Sequence, residues 1–527
     1  MPYTVVGMWG SSPKMVRSRR QRRRSGVRPG DRRLVGPASA VLVTALLFAG
    51  AIGPGGTTPA VAGVAGAAAP ALVDRQVIVE WKPGVTEAQK SATLLSVRAA
   101  GRSRINADPA APVDVVDVGT TASRAAAVAA LAASGNVVSA EPNRRLHTTK
   151  RPRSVVRRPG KTPLSSLFND PLLVDGTQWS MLGSETQPGN TYGVDAVSAW
   201  RKGITGKSDI YVGVVDEGID ISHPDLAANV FTNRWDPPNG IDDDGNGYID
   251  DTHGWDFVDN DNSVYDGQEH FDFVDAHGTV VAGEIGAVGG NHLGVAGVNW
   301  NVKVIPAKFL GPTDGSTADA VRALDYLTDL KIRHGLNIVA TNNSYEGDDT
   351  DSHALQAAIQ RGANADILFV TIAGNGDFVN GLGYDIDRTP NYPASLRCRL
   401  RSGADCMIVT TAIDDTGQMP DFANWGKRTV DLGAPGVLVW STFPFADYQA
   451  YDGTSQAAPL VAGAIALYQS RYPGASATRI RHALLQSTMP TASLANKTRT
   501  GGRLDIDAML ANDHDVWRGD WWRDGRE

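Results

Sequence analysis

Cysteine is nearly absent from this chain: Cys398 and Cys406 are the two residues of that type among 527. Two thiols eight positions apart are too sparse for a zinc site or for a multi-bridge scaffold. No segment recurs at a period of about 20–50 residues, which excludes solenoid and propeller architectures. Long apolar runs are also scarce. The one candidate, Ala38 to Gly53, is bounded or interrupted by Pro37, Gly50, Gly53 and Pro54, so its continuous apolar core falls short of the roughly 20 residues that a membrane span needs. Positive charge is in deficit, with 50 Lys and Arg against 57 Asp and Glu. Net charge is −7 overall, yet Lys14, Arg17, Arg19, Arg20, Arg22, Arg24, Arg28, Arg32 and Arg33 crowd into the leader, so the body is more acidic than the total. An acidic body offers no basic face for phosphates, which argues against a nucleic-acid partner.

What is present is globular, with 42% hydrophobic and 20% charged residues and length for more than one domain. The basic leader, the apolar run and the small residues around Ala60-Val61-Ala62 form the pattern of a secretory signal peptide cut near residues 62–69. Met15 is an alternative initiator, and an uncleaved anchor is the competing reading. Export places Cys398 and Cys406 in an oxidising compartment and predicts a local disulfide between them.

The chemistry begins at Gly453-Thr454-Ser455-Gln456-Ala457-Ala458-Pro459, which precedes an apolar helix-like stretch from Leu460 to Leu467. A nucleophilic hydroxyl needs a base and a carboxylate behind that base. Asp216 closes the β-branched run Ile210-Tyr211-Val212-Gly213-Val214-Val215, a buried parallel strand by pattern, and the C-terminal end of such a strand faces the ligand crevice. His277 opens His277-Gly278-Thr279-Val280-Val281-Ala282-Gly283, a helix-like segment whose small residues allow close packing. Asn375, in the Ala373-Gly374-Asn375-Gly376 turn after another strand pattern, is placed to donate to a developing oxyanion. Taken singly, each residue reads as a cap or a turn. Their order, Asp then His then Ser, separates the set from the other common serine-hydrolase arrangements, and no Gly-x-Ser-x-Gly elbow surrounds Ser455.

These four segments resemble the subtilisin-like serine proteases over about residues 168–510. The resemblance implies that Ser455 is the nucleophile, His277 the base, Asp216 its orienting carboxylate and Asn375 the oxyanion donor of a serine endopeptidase. It further implies that Ser344, Tyr345, Glu346 and Gly347 line the substrate cleft, where protein or peptide substrates bind. Three residues depart from the family's usual pattern. Gln456 stands where Met is usual, Leu460 where His is usual, and Val280 where a second His is usual. Glu217 follows Asp216 where Ser or Thr is common; together with Glu346 it would favour basic substrate side chains. A protease fold that has lost activity, or a non-proteolytic acyl hydrolase, are the rival functions.

The strand patterns at 211–215, 302–308, 337–341, 367–373 and 407–412 alternate with helical patterns at 317–333 and 353–363. This predicts an α/β fold, a mostly parallel central sheet flanked by helices, over residues 168–512. Before it, residues 70–147 read as a small α+β segment with a strand at 75–81, helices at 86–100 and 123–133, and a closing strand at 137–143. It resembles the inhibitory pro-domain of subtilases, an intramolecular partner that blocks the cleft until removed. Residues 1–69 are the leader, 148–167 a basic linker suited to proteolysis, and 513–527 a Trp-rich tail. Acidic loops predict structural calcium. Asp242, Asp244, Asn246 and Asp250 follow calcium-loop spacing, with His253 where a bidentate Glu is expected and Asp251 as a substitute. Asp256, Asp259 and Asp261 resemble a thermitase-like calcium loop, and Asp170, Asp225 and Asn291 resemble the family's strong site. The expected product is a secreted monomer, released or held at the cell surface.

Overall fold

A computed structural model describes residues 72–512, apart from 107–110, 120, 149–151, 154–167, 270–271, 274, 312–314, 348–350 and 377–379. The expected signal peptide and the Trp-rich tail lie outside the described residues, as does most of the 148–167 linker. The described residues belong to one unit.

Its N-terminal part runs β1 (Leu72–Trp81), α1 (Glu87–Ser96), β2 (Gly101–Arg104), β3 (Val113–Asp117), α2 (Thr121–Ala132) and β4 (Val137–His147). β1 sits between β4 and β3, antiparallel to both, and β2 extends the sheet from β3. Alternate residues of β1, Val77, Val79 and Trp81, point to one face and form a core with Leu94, Val116, Leu131 and Val137. Thr86 and Gln89 close a capping box at the start of α1. The helix stops at Ser96, short of the expected 100, where Arg98 turns to a positive φ of 55° and the chain enters β2. β4 continues four residues past its expected end at 143. That extension reaches the larger part of the fold.

The larger part is built on nine strands: β6 (Gly206–Asp216), β7 (Trp255–Asp256), β8 (Asn301–Lys308), β10 (Ile338–Asn343), β12 (Leu368–Ile372), β13 (Met407–Ile413), β14 (Leu432–Pro435), β17 (Met489–Pro490) and β18 (Gly502–Arg503). Their order is β17-β18-β14-β13-β12-β10-β6-β8-β7, and β17 against β18 is the one antiparallel pair. The chain winds from β6 to β8 on one side and to β10 on the other, so strand order reverses at β6. Ligand crevices open at such a reversal, beyond the strands' C-terminal ends, and Asp216 is the last residue of β6. Short strands complete the rim: β5 (Pro152–Arg153), β9 (Gly315–Ser316), β11 (Glu346–Gly347), β15 (Val439–Phe443) and β16 (Asp447–Tyr451).

The helices that matter for the site are α3 (Ala276–Gly286), α4 (Thr317–His334), α5 (His353–Asn364) and α6 (Thr454–Arg471). α4 follows sequence rules closely: Ser316 caps its first turn, Lys331 and Arg333 sit in its last, and Gly335 ends it in the left-handed region. α6 packs against β6, β10, β12, β13 and β14, and every residue from Thr454 to Ser470 is buried. A helix that is small or apolar on all sides belongs in a core. α3 approaches its neighbours closely because its glycines permit it. A Cβ on Gly278 would lie 2.2 Å from the Gly218 carbonyl oxygen, and one on Gly283 would lie 2.1 Å from Thr442 Oγ1.

Glu284, also on α3, is 1% exposed, and neither carboxyl oxygen has a hydrogen-bond partner among the described residues. Desolvation holds its carboxyl well above the ordinary 4.5. The folded state therefore prefers the protonated form, and stability declines as pH rises above the unfolded value. Glu284→Gln supplies a neutral isostere. It should match the wild type in melting temperature near pH 4 and melt progressively higher than the wild type toward pH 8; a gap independent of pH would contradict this.

Candidate active site

Asp216, the expected orienting carboxylate, comes first because β6 fixes it. Asp216 is 1% exposed at the strand end, and its Oδ1 accepts from Nδ1 of His277 at 2.8 Å and from the Glu217 backbone N–H at 2.8 Å. His277 is fully buried in the first turn of α3. With Nδ1 donating to Asp216, Nε2 is the basic nitrogen of the neutral ring. Ser455 occupies the first turn of α6, and α3 packs against α6. Ser455 Oγ is buried and has no hydrogen-bond partner among the described residues. Catalytic hydrogen bonds are commonly formed only in the substrate complex.

Proline governs the local geometry of Ser455. Pro459 lies inside α6 and lacks the N–H that would bond to the carbonyl four residues back. That carbonyl is Ser455's, and Ser344 Oγ donates to it at 3.0 Å. Asn342 Nδ2 in turn donates to Ser344 Oγ at 2.9 Å. Asn375 holds the other side of the turn. Its Oδ1 accepts from both the N–H and the hydroxyl of Thr454, each at 2.8 Å. Because a backbone N–H can only donate, these bonds identify Oδ1 and leave Nδ2 as the outward donor. A Cβ placed on Gly453 would lie 3.3 Å from Asn375 Nδ2 and 3.5 Å from Ser455 N. Two N–H groups thus face the space over Gly453.

The cleft residues divide in role. Ser344 tethers the proposed nucleophile, as above. Tyr345 is fully buried and packs edge-on against Phe309 at 4.6 Å, so its ring belongs to the core. Glu346 and Gly347 form β11, and Glu346 Oε2 accepts from Asn391 Nδ2 at 2.8 Å. Neither Glu346 nor Glu217 points into water: they are 5% and 4% exposed. Glu217 Oε2 accepts from the His277 N–H at 3.2 Å, while Oε1 accepts from Thr148 Oγ1 at 3.1 Å.

That last contact belongs to the N-terminal segment, which fills the cleft. The end of β4 lies between two rim strands. On one side His147 and Leu146 pair with Glu346 and Gly347; on the other Leu146 and Arg145 pair with Gly315 and Ser316. Both ladders are antiparallel, and Leu146 is buried in the main core. Farther on, Pro152–Arg153 pairs with Ala450 and Tyr451 of β16, which leads directly into Ser455. The segment also caps two helices. Asn143 Oδ1 accepts from the Ala318 N–H at 3.0 Å in the first turn of α4, and Glu141 accepts from Ser352 Oγ at 2.6 Å and the His353 N–H at 2.9 Å at the start of α5. The Gly315-Ser316 rim was missed in the sequence, where only the helical pattern from 317 was read.

The acidic loops gather differently from their spacing. Asp170 and Asp225 are both fully buried, and Asn291 Nδ2 donates to Asp225 Oδ1 at 2.6 Å, so this predicted trio meets. Burial raises Asp225 to about 6, with the nearby Asp170 charge adding to the rise. In the 242–253 loop, Asp242 and Asp244 fold back on the loop's own amides, and Asn246 Nδ2 donates to Asp251 Oδ2 at 3.0 Å. Asp250 instead accepts from the N–H groups of Asn239 and Gly240. His253 turns away to the Phe231 carbonyl at 2.6 Å. Asp251, wholly buried and pushed up to about 7 by desolvation, takes its place. In the third loop, ligand atoms of Asp256, Asp259 and Asp266 lie within 4.8 Å of one another, whereas Asp261 Oδ1 accepts from the Ser263 N–H. Lys308, 1% exposed, stands against this group with Nζ 3.0 Å from Asp266, 2.9 Å from Asp275 and 3.7 Å from Asp256. Of the three sets, the first brings two buried carboxylates together, which a hard cation would relieve, while Asn291 turns its amide NH2 to Asp225 and its Oδ1 accepts from the Leu293 N–H at 2.8 Å. Cys398 and Cys406 form a disulfide with Cα atoms 5.5 Å apart.

Comparison with known proteins gives a consistent result. The Subtilase family pattern matches residues 207–507, and the fervidolysin N-terminal prodomain pattern matches residues 58–143. Subtilisin-like protease 1 of Plasmodium berghei (strain Anka) is 31% identical over 305 residues, covering 56% of this chain and 48% of that protein. The chain thus spans about half the length of that relative. Subtilisin DY of Bacillus licheniformis is 30% identical over 297 residues, 56% of this chain and 89% of its own. Thermitase of Thermoactinomyces vulgaris is 30% identical over 292 residues, 55% and 84% respectively. In fold, the chain is similar to the crystal structure of fervidolysin from Fervidobacterium pennivorans, described as a keratinolytic enzyme related to subtilisin. The TM-score is 0.60 at 19% identity, over 84% of this chain and 61% of that one.

Proposed function

Because the chain belongs to the subtilase family, we propose that it is a serine endopeptidase made as a zymogen, exported, and stabilised by calcium. The observation that carries this is the 2.8 Å contact between buried His277 and Asp216, on a helix packed against the one that Ser455 opens. In the proposed reaction Ser455 Oγ attacks the scissile carbonyl and its proton passes to His277 Nε2. Asp216 stabilises the imidazolium. Asn375 Nδ2 and the Ser455 N–H hold the oxyanion; one such side-chain donor contributes about 2.7–4 kcal/mol, a magnitude measured in a subtilisin. His277 then returns the proton to the leaving amine.

The rim strands support an extended substrate. β9 and β11 offer main-chain hydrogen bonds on both sides of a third strand, a form of strand addition, and β4 now occupies that position. The first turns of α4 and α5, capped by Asn143 and Glu141, hold the pro-segment in place as an inhibitor. Leu146 and His147 pair with the rim strands and Pro152 pairs with Tyr451, close in sequence to Ser455, so the proposed self-cleavage falls between Thr148 and Pro152. Glu217, facing Thr148, would accept from a lysine or arginine at that substrate position. Calcium would be held by Asp170, Asp225 and Asn291, with Asp244, Asn246 and Asp251 as a second set; its positive charge would offset the repulsion between the buried carboxylates. Among the described residues no helix is long and apolar enough to cross a membrane.

A serine-directed phosphonate should label the protein and fail to label Ser455→Ala; equal labelling of both would sink the assignment. Chelator should lower the melting temperature. At free calcium about 100-fold above Kd the loss corresponds to roughly 2.7 kcal/mol, and an unchanged melting curve in excess chelator would remove calcium from the account.

A further inference from the structure

Gln456 follows Ser455 in the first turn of α6 and is 1% exposed. Neither Oε1 nor Nε2 of its carboxamide has a hydrogen-bond partner among the described residues. A buried polar group left in this way is costly, and nothing among the described residues offsets it. Its surroundings indicate what would. A Cβ placed on Gly453 would lie 2.9 Å from Gln456 Oε1, 3.3 Å from Asn375 Nδ2 and 3.5 Å from Ser455 N. Three polar groups therefore border one small space beside the serine, and two of them are the donors assigned to the oxyanion.

The two amides differ in freedom. Asn375 is fixed, because Thr454 donates twice to its oxygen. Gln456 is not fixed, so a half-turn about its last side-chain bond exchanges Oε1 and Nε2 without breaking a hydrogen bond. A negative charge arriving in the shared space favours the orientation with Nε2–H toward it.

We infer that Gln456 is a third oxyanion donor, a catalytic residue whose Nε2–H turns to the carbonyl oxygen of the bond under attack. The inference rests on Ser455 being the nucleophile. As Ser455 Oγ bonds to the carbonyl carbon, its proton moves to His277 Nε2 and the carbonyl π pair moves onto oxygen. That oxygen then receives N–H bonds from Asn375, Ser455 and Gln456. The charge develops in the transition state, so the contribution falls on kcat and not on KM.

Gln456→Met keeps an unbranched side chain of similar length without a donor. It should lower kcat about tenfold, a smaller loss than removing a sole side-chain donor, with KM within about twofold and the inhibition constant of a peptide boronate raised by a similar factor. Gln456→Glu, equal in shape but without the N–H donors at neutral pH, should lose more. In an Asn375→Ala background the loss from Gln456→Met should differ from that in the wild type, since both donors serve one oxygen. A residue that only fills space would instead move the melting temperature and leave kcat alone. The inference is overturned if Gln456→Met keeps kcat within twofold, or, should that variant not fold, if Gln456→Glu does. The outcomes separate cleanly from failure of the nucleophile assignment. An active Ser455→Ala would refute that assignment, whereas an inactive Ser455→Ala beside a fully active Gln456→Met refutes the third donor alone.

Discussion

The first turn of a fully buried helix is the constraint on which the site depends. α6 must enter the core with small and apolar residues on all sides, and its first turn must still present a hydroxyl to the crevice. Pro459 loosens that turn by leaving the Ser455 carbonyl without its helical donor, and the cleft residue Ser344 supplies the replacement. Asn375 anchors the preceding residue, Thr454, through two bonds to its oxygen. The proposed nucleophile, the proposed oxyanion amide and the cleft strand are thereby joined by hydrogen bonds that cross three separate elements. Displacing any one would move the others.

The second half of the account is the strand that lies in the cleft. β4 begins as the closing strand of the small N-terminal sheet and ends as a partner of β9 and β11. One continuous strand thus serves two sheets. Its side chains reinforce the docking by occupying the donor-rich starts of α4 and α5, where backbone N–H groups would otherwise lack partners. An inhibitor held through main-chain ladders and helix caps needs little sequence of its own, which fits the Ala-rich, weakly patterned character of residues 121–132.

Much of this was legible in the sequence, for physical reasons that differ by residue. Asp216, His277, Asn375 and Ser455 each stand at the end of a strand or the start of a helix, marked by β-branched runs and glycines, so their local frames could be read. The parallel sheet followed from the same runs. The start of α6 was not legible: Pro459 reads as a breaker, and the helix was expected only from Leu460, whereas it begins at Thr454 because Ser344 compensates from 111 positions away. β2, β3 and the β15–β16 hairpin were missed because pairing across the sheet defines them better than their own composition does. The acidic loops show the limit most clearly. Spacing nominated Asp250 and Asp261, but chain folding buries Asp251 and sets Asp266 beside Asp256 and Asp259. Lys308, which ended a strand pattern without remark, proves to be the buried counter-charge to three aspartates.

The central claim is that the chain cuts itself, using Ser455, at the segment lying across its own cleft. Mass spectrometry of the N-termini of the wild-type and Ser455→Ala proteins, produced side by side, tests it most directly. The account predicts a mature wild-type N-terminus beginning at one of the residues from 149 to 152, with the variant uncut there. The same N-terminus in both proteins, or a wild type that retains the intact 137–153 segment in its active form, would contradict it.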